Sequence, residues 1–193
     1  MIEPERQVQK LNLFRLPSGF RGRTAVVVQL WWLVQTTLFG CSPQFMFGWR
    51  RWLLKFFGAK VGKDVLLRSS VKVTYPWKVS IGNSAWIGDD VVLYSLGEIE
   101  IGDDVVVSQR SYLCAASHDY MQPDFPIYDQ KICIKSQAWL ATDVFVAPGV
   151  VIGEGAVVGA RSSVFHNLPP MMVCVGSPAK PIKHRLNGDI YRS

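Results

Sequence analysis

Aliphatic residues return every six positions from Val61 onward, and the polar positions between them keep step. Each unit is an aliphatic residue, a small one, two polar ones, a small or β-branched one and one more. It reads VGKDVL (61–66), IGNSAW (81–86), IGDDVV (87–92) and IGDDVV again (101–106), then resumes as IKSQAW (134–139), LATDVF (140–145), VAPGVV (146–151), IGEGAV (152–157) and VGARSS (158–163). A short strand followed by a tight turn makes one side of a coil. Its leading aliphatic residue points inward, and the small residue after it is expected to let the backbone bend. Three such sides close a triangular coil, and stacked coils bury their faces against one another. One copy would mean only a strand ending in a glycine turn. Nine copies, several in direct succession, predict a mainly β solenoid over residues 61–185.

The rhythm fails after Leu113 and returns at Ile132 or Ile134. Between them stands CAASHDYMQPDFPIYDQ (114–130), whose prolines and aromatics fit no six-residue unit. Residues 117–131 are therefore predicted as a loop leaving the coil, and loops on a rigid scaffold are where chemistry is usually placed. This one carries His118, one of three histidines in the chain. A neutral imidazole can take the proton of an attacking hydroxyl and return it to a leaving group. Asp119 follows directly, but neighbouring side chains in extended backbone point opposite ways. Whether it orients His118, meets an acceptor or pins the loop stays open. Cys114 sits in coil register, which suggests packing.

Ahead of the repeat the pattern changes. Residues 24–49 carry no charge, and TAVVVQLWWLVQTTLF is apolar apart from glutamine and threonine. On a helix Gln29 and Thr36 would share one narrow polar stripe. The following FGWRRWLLKFFGAK sets Arg50, Arg51 and Lys55 beside Trp49, Trp52, Phe56 and Phe57, as interfacial helices do. A membrane span needs about 20 apolar residues, and this stretch reaches that length only through Gly40, Ser42 and Pro43, which would break it. Residues 1–60 are predicted as an apolar, basic helical segment, and 186–193 as a C-terminal tail. Two readings of 24–57 stay open: helices packed on the solenoid or on a neighbouring subunit, and peripheral contact with a membrane.

Charge sharpens this division. Residues 1–60 hold nine Lys and Arg against two Asp and Glu, whereas 61–193 hold twelve against thirteen, within a net charge of +6. The cations are interleaved with Trp, Phe and Leu rather than with groups that read bases, which argues against nucleic acid as a partner. The four cysteines lack C-x-x-C spacing and predict reduced thiols in a cytoplasmic protein, at the inner face of the membrane if 24–57 touches lipid. LFGC (38–41) has only a superficial likeness to a lipoprotein cleavage site, because it lies deep in the chain.

With its repeats and its break, the sequence resembles the hexapeptide-repeat acyltransferases. VKVTYPWKVSIGNSAWIGDDV, VVSQRSYLCAASHDY and GSPAKPIKHR are most similar to the O-acetyltransferases of colanic acid and exopolysaccharide biosynthesis, in which an apolar, Trp-rich segment also precedes the repeats. The resemblance implies a left-handed parallel β-helix, a homotrimer, acetyl-CoA as co-substrate with no metal, a sugar hydroxyl as acceptor, and His118 as general base. It also implies a pantetheine arm lying along the later coils between adjacent subunits. The family's W-I-G motif falls on Trp139, Leu140 and Ala141, and its G-A-G-S on Gly159, Ala160, Arg161 and Ser162. Arg161 replaces a small residue, so whether it crowds the arm or meets a phosphate stays open. His166 stands where the family has lysine, and Lys180 and Lys183 are the stronger candidates for nucleotide phosphates. Direct transfer needs no nucleophilic serine or cysteine. The tetrahedral oxyanion does need a backbone N–H or similar donor, which the sequence does not identify.

Three other functions fit less well. The zinc carbonic anhydrases of this fold need clustered histidines, and after His118 none follows until His166. Nucleotidyl transfer would need a Gly-rich phosphate loop. A non-catalytic repeat scaffold would need neither the histidine loop nor the small-residue slot. An acyltransferase with a non-sugar acceptor remains compatible with every motif.

Overall fold

A computed structural model describes residues 8–187. The first seven residues and most of the expected C-terminal tail, from 188 on, lie outside this range. The leading aliphatic residues do what their period demands. Val61, Ile81, Ile101, Ile134 and Ile152 stack in register, each pairing with the next, and all are buried. Their strands form the first sheet: β1 (Lys60–Val61), β4 (Val79–Ile81), β7 (Ile99–Ile101), β12 (Ile132–Ile134) and β15 (Val151–Ile152). The second sheet holds β2 (Leu66–Leu67), β5 (Trp86–Ile87), β8 (Val106–Val107), β13 (Trp139–Leu140), β16 (Val157–Val158), β18 (Met172–Gly176) and β19 (Ala179–His184). The third holds β3 (Lys72–Val73), β6 (Val92–Tyr94), β9 (Tyr112–Cys114), β14 (Phe145–Val146) and β17 (Ser163–Val164). All neighbours run parallel except β19, which turns back on β18. The result is a left-handed β-helix of triangular section.

One coil is much longer than the others. Val61 pairs with Ile81 and Ile81 with Ile101, 20 residues apart, and Ile134 pairs with Ile152, 18 residues on. Between Ile101 and its partner Ile134 the spacing is 33, so the insertion sits wholly inside one coil.

The corners correct one expectation. The small residue after each aliphatic was expected to make the bend, but the bend falls two positions later. There Asp64, Ser84, Asp90, Asp104, Arg110, Gln137, Asp143 and Arg161 all take φ between 55° and 61°, the left-handed region that a carboxylate or amide side chain tolerates best among non-glycine residues. The glycine is needed for close approach instead. A Cβ on Gly62, Gly82 or Gly102 would lie 2.6–2.7 Å from backbone atoms of the next coil.

The first coil would leave strand edges open, and the N-terminal segment closes them. Helix α1 (Ala25–Val34) runs into a π turn (Gln35–Phe39) and ends at Gly40; α2 (Phe47–Phe56) follows. Trp31 Nε1 donates to the Val73 carbonyl at 2.7 Å, and the Val73 N–H donates to Gln35 Oε1 at 2.6 Å. Arg50 Nε donates to Leu67 O at 2.6 Å and Arg51 Nη1 to Val65 O at 2.8 Å. Pairing an exposed edge in this way removes a template for aggregation. Of the two readings left open for this segment, packing on the solenoid is what the helices show. Among the described residues no helix is long and apolar enough to cross a membrane.

Lys131, at the return from the insertion, lies 2.6 Å from Glu100 and holds that carboxyl below its ordinary value, chiefly by the hydrogen bond. A depressed carboxylate stabilises the fold above its unfolded pKa and loses that contribution as pH falls through the folded value. Both side chains are more than two-fifths exposed, so the effect is small. Lys131→Met is expected to be slightly less stable than the native chain at neutral pH. The difference should vanish as pH falls through the lowered carboxyl value of Glu100, which chemical denaturation across pH would show.

Candidate active site

The insertion is a β-hairpin rather than an irregular loop. Strand β10 (Ala116–His118) pairs antiparallel with β11 (Ile127–Asp129), and His118 faces Ile127 across the ladder. His118 Nδ1 lies 2.8 Å from the Phe125 carbonyl. A carbonyl can only accept, so Nδ1 carries the proton and the Nε2 lone pair of the neutral ring is left available. Phe125 also stacks on the imidazole, with centroids 4.3 Å apart and planes at 10°. It does so from a left-handed backbone, φ 50°, a costly conformation for a bulky residue that turns its carbonyl toward the histidine.

Asp119 does not reach the ring. Its carboxylate accepts from the Met121 N–H at 2.9 Å and from Gln122 Nε2 at 2.7 Å, which ties the hairpin tip. An N-terminal arm braces the same hairpin: the Lys10 N–H donates to Pro123 O at 2.6 Å, and Phe14 lies 5.8 Å from the His118 ring. Phe14 and Phe125 carry no repeat or motif signal in the sequence; folding alone brings them to the imidazole. Burial pushes the Cys114 thiol up, which disfavours the thiolate that a nucleophile would need.

Beside the hairpin, Tyr94, Tyr112, Phe145 and Phe165 climb the outer face of the third sheet, with successive ring centroids 5.9, 6.2 and 5.9 Å apart. Burial, together with Cys114 and Tyr94, pushes the Tyr112 phenol up to about 12. Each ring adjoins an inward aliphatic residue in sequence and so points outward by strand alternation. His166 is exposed just past β17, at the corner toward the first sheet.

The other candidate residues lie elsewhere on the prism. Trp139 pairs with Val157, Val157 with Val173, and Val173 with Lys183. One column on the second sheet therefore joins Trp139 to Lys183 across three strand spacings, about 14 Å. Trp139 Nε1 donates to Ser108 Oγ at 3.0 Å, laying the indole along the corner where Gly88, Ser108, Ala141 and Gly159 succeed one another. A cavity of about 340 Å³ continues from there, lined by Trp86, Val106, Ser108, Gln109, Arg68 and Phe47. Ala160 is exposed at the same corner, Lys180 is exposed on β19, and Lys183 is half-buried. Arg161 occupies the left-handed corner position with its side chain 85% exposed, and its Nε lies 4.0 Å from Asp143.

Within one chain the two groups are therefore apart. The hairpin leaves the corner between the third and first sheets, which is the corner opposite the second sheet. His118 and His166 stand on that side. Trp139, Ala141, Gly159, Ala160, Lys180 and Lys183 stand on the other.

No protein-family model matches the chain. WcaF of Escherichia coli K12, which bears the name of a colanic acid biosynthesis acetyltransferase, is 58% identical over 179 residues, covering 93% of this chain and 98% of WcaF. The chain belongs to the hexapeptide-repeat acetyltransferases. Solved structures share the fold of this acetyltransferase. A galactoside acetyltransferase in complex with coenzyme A superposes with a TM-score of 0.79 at 22% identity, over 92% of this chain and 90% of that one. The hexapeptide-repeat acetyltransferase VCA0836 of Vibrio cholerae, complexed with acetyl coenzyme A, gives 0.77 at 21% identity, over 86% and 92%.

Proposed function

We propose that this acetyltransferase moves an acetyl group from acetyl-CoA to a sugar hydroxyl of an exopolysaccharide precursor, in a site shared between two subunits of a homotrimer. The observation that carries the reading is the separation of His118 from the Trp139–Lys183 column on opposite sides of one chain. A neighbouring chain, packed by three-fold symmetry, would bring one chain's hairpin against the next chain's second sheet. The name of WcaF supports the class of acceptor, and the ligands of the structural neighbours support the donor.

On this reading His118 Nε2 takes the hydroxyl proton as the sugar oxygen attacks the thioester carbonyl. The tetrahedral intermediate then collapses, the C–S bond breaks, and the thiolate of coenzyme A recovers the proton from Nε2. The Phe125 carbonyl keeps the imidazole in the tautomer that can do this. Trp139, Ala141, Gly159 and Ala160 line the pantetheine arm, and Lys180 and Lys183 meet the phosphates, with His166 contributed from the hairpin side. Asp119 acts on hairpin shape. The sugar is presented on a membrane lipid.

Mixing two defective chains tests the shared site. His118→Ala keeps the slot, and a Trp139→Ala, Lys183→Glu chain keeps the histidine. Each alone should be nearly inactive with labelled acetyl-CoA and a hydroxylated sugar. Co-assembled trimers should recover about a quarter of native activity, since half the histidines meet half the slots. No recovery would place the site within one chain, and a native chain that forms no labelled ester on any sugar would remove the function itself.

A further inference from the structure

The cap that closes the solenoid has an outer face that acetyl transfer does not use. Helix α1 turns Val28 and Trp31 inward, while Val26, Leu30 and Leu33 are 75, 48 and 60% exposed. The π turn carries the surface on through Leu38, also exposed, whose carbonyl accepts from Trp49 Nε1 at 2.9 Å. From Trp49 the rings of Trp52 and Phe56 stack in succession along α2, with centroids 5.2 and 5.4 Å apart, and these two are 52 and 69% exposed. Apolar side chains exposed in succession along both helices mark an interaction site.

Charge decides what covers it. Between Arg6 and Lys63 the sequence contains no Asp or Glu, whereas exposed Lys55 stands beside Phe56 and exposed Lys60 follows the helix. A second copy of the same face would set cations against cations with no carboxylate to answer them. An anionic bilayer satisfies both features, because apolar side chains enter the boundary between headgroups and acyl chains while lysines and arginines meet the phosphates. We infer that the outer face of α1 and α2 docks on an anionic phospholipid bilayer, lying on its surface rather than crossing it. The inference deepens the reading of a lipid-borne acceptor and rests on it only for its purpose; the binding itself requires no acetyl transfer.

The test is co-sedimentation of the full chain with vesicles of phosphatidylcholine alone or with added phosphatidylglycerol. Binding should be about tenfold tighter or more to the anionic vesicles and should weaken with salt. Leu33→Glu combined with Phe56→Glu should lower partitioning by about tenfold or more, with circular dichroism, oligomer size and acetyl transfer to a soluble sugar unchanged. Leu33→Ser with Trp52→Ser gives a second variant without added charge. Equal partitioning of native and variant chains, or no preference for anionic vesicles, would overturn the inference. So would a fall in oligomer size in the variants, which would show a second copy on this face. Loss of vesicle binding with normal transfer, or the reverse, separates this inference from the catalytic reading.

Discussion

His118→Ala is expected to reduce the rate of acetyl transfer by about 10²–10⁴-fold, the usual contribution of a positioned general base. The loss should fall on kcat, since the imidazole lies on the hairpin side while the slot proposed for the coenzyme lies on the opposite face of its own chain. The side chain is half-buried at the end of β10, and its removal leaves the β10–β11 backbone ladder in place. Thermal unfolding should therefore move little. Labelled acetyl-CoA with candidate exopolysaccharide precursors, followed as ester formation, gives the measurement. A variant as active as the native chain would end the proposal that His118 is the base. Replacing Asp119 with Asn should cost far less, because its carboxylate is bonded to Met121 and Gln122 rather than to the ring.

Arg50→Met is expected to lower stability by about 3 kcal/mol, as one buried and two part-buried carbonyls lose a charged donor at once. Arg50 is fully buried, and burial followed by repulsion from Arg68 draws its pKa down. The charge persists because four of the five guanidinium N–H groups donate. Nε donates to Leu67 O, Nη1 to Ser42 Oγ at 2.8 Å and Pro43 O at 2.9 Å, and Nη2 to Gln44 O at 2.6 Å. The side chain joins α2 both to the connection before it and to an edge strand of the first coil. In a chain of this length the loss corresponds to a fall of about 6–12 °C in Tm. Arg50→Lys should rescue little, since one ammonium cannot reproduce the planar fork. A shift of under about 2 °C in calorimetry would show that the cap does not depend on this side chain.

The solenoid was legible because its signal is repeated. Each coil needs an inward aliphatic residue at the same three places, so Leu113 could be recognised as the last member of the rhythm before His118, and Ile132 or Ile134 as the first after it; the pairing of Ile134 with Ile101 assigns that place to Ile134. The corners fall two positions after the small residue that the repeat pattern points to. A glycine looks like a hinge on paper, yet Gly62, Gly82 and Gly102 make room for the next coil while Asp64, Asp90 and Asp104 turn the corner, as Gly149 and Gly155 do in later coils. The hairpin was legible only as a break, because its two strands pair with each other and follow no register of the repeat.

By itself the sequence determined the period of the coil, the residues that fill it, the position of the insertion and the histidine it carries. These are local or strictly periodic properties, set by alternation along a strand and by which side chains can be buried. Only the tertiary structure decided that Phe125 and Phe14 hold the imidazole, that Asp119 does not, that Arg50 joins the cap to the solenoid, and that the histidine and the slot lie on opposite sides of one chain. Those facts depend on contacts between residues far apart in sequence and on which corner of a triangle each strand happens to reach. A six-residue rhythm says how each side is built and is the same on all three; closure of the coil is what tells the sides apart.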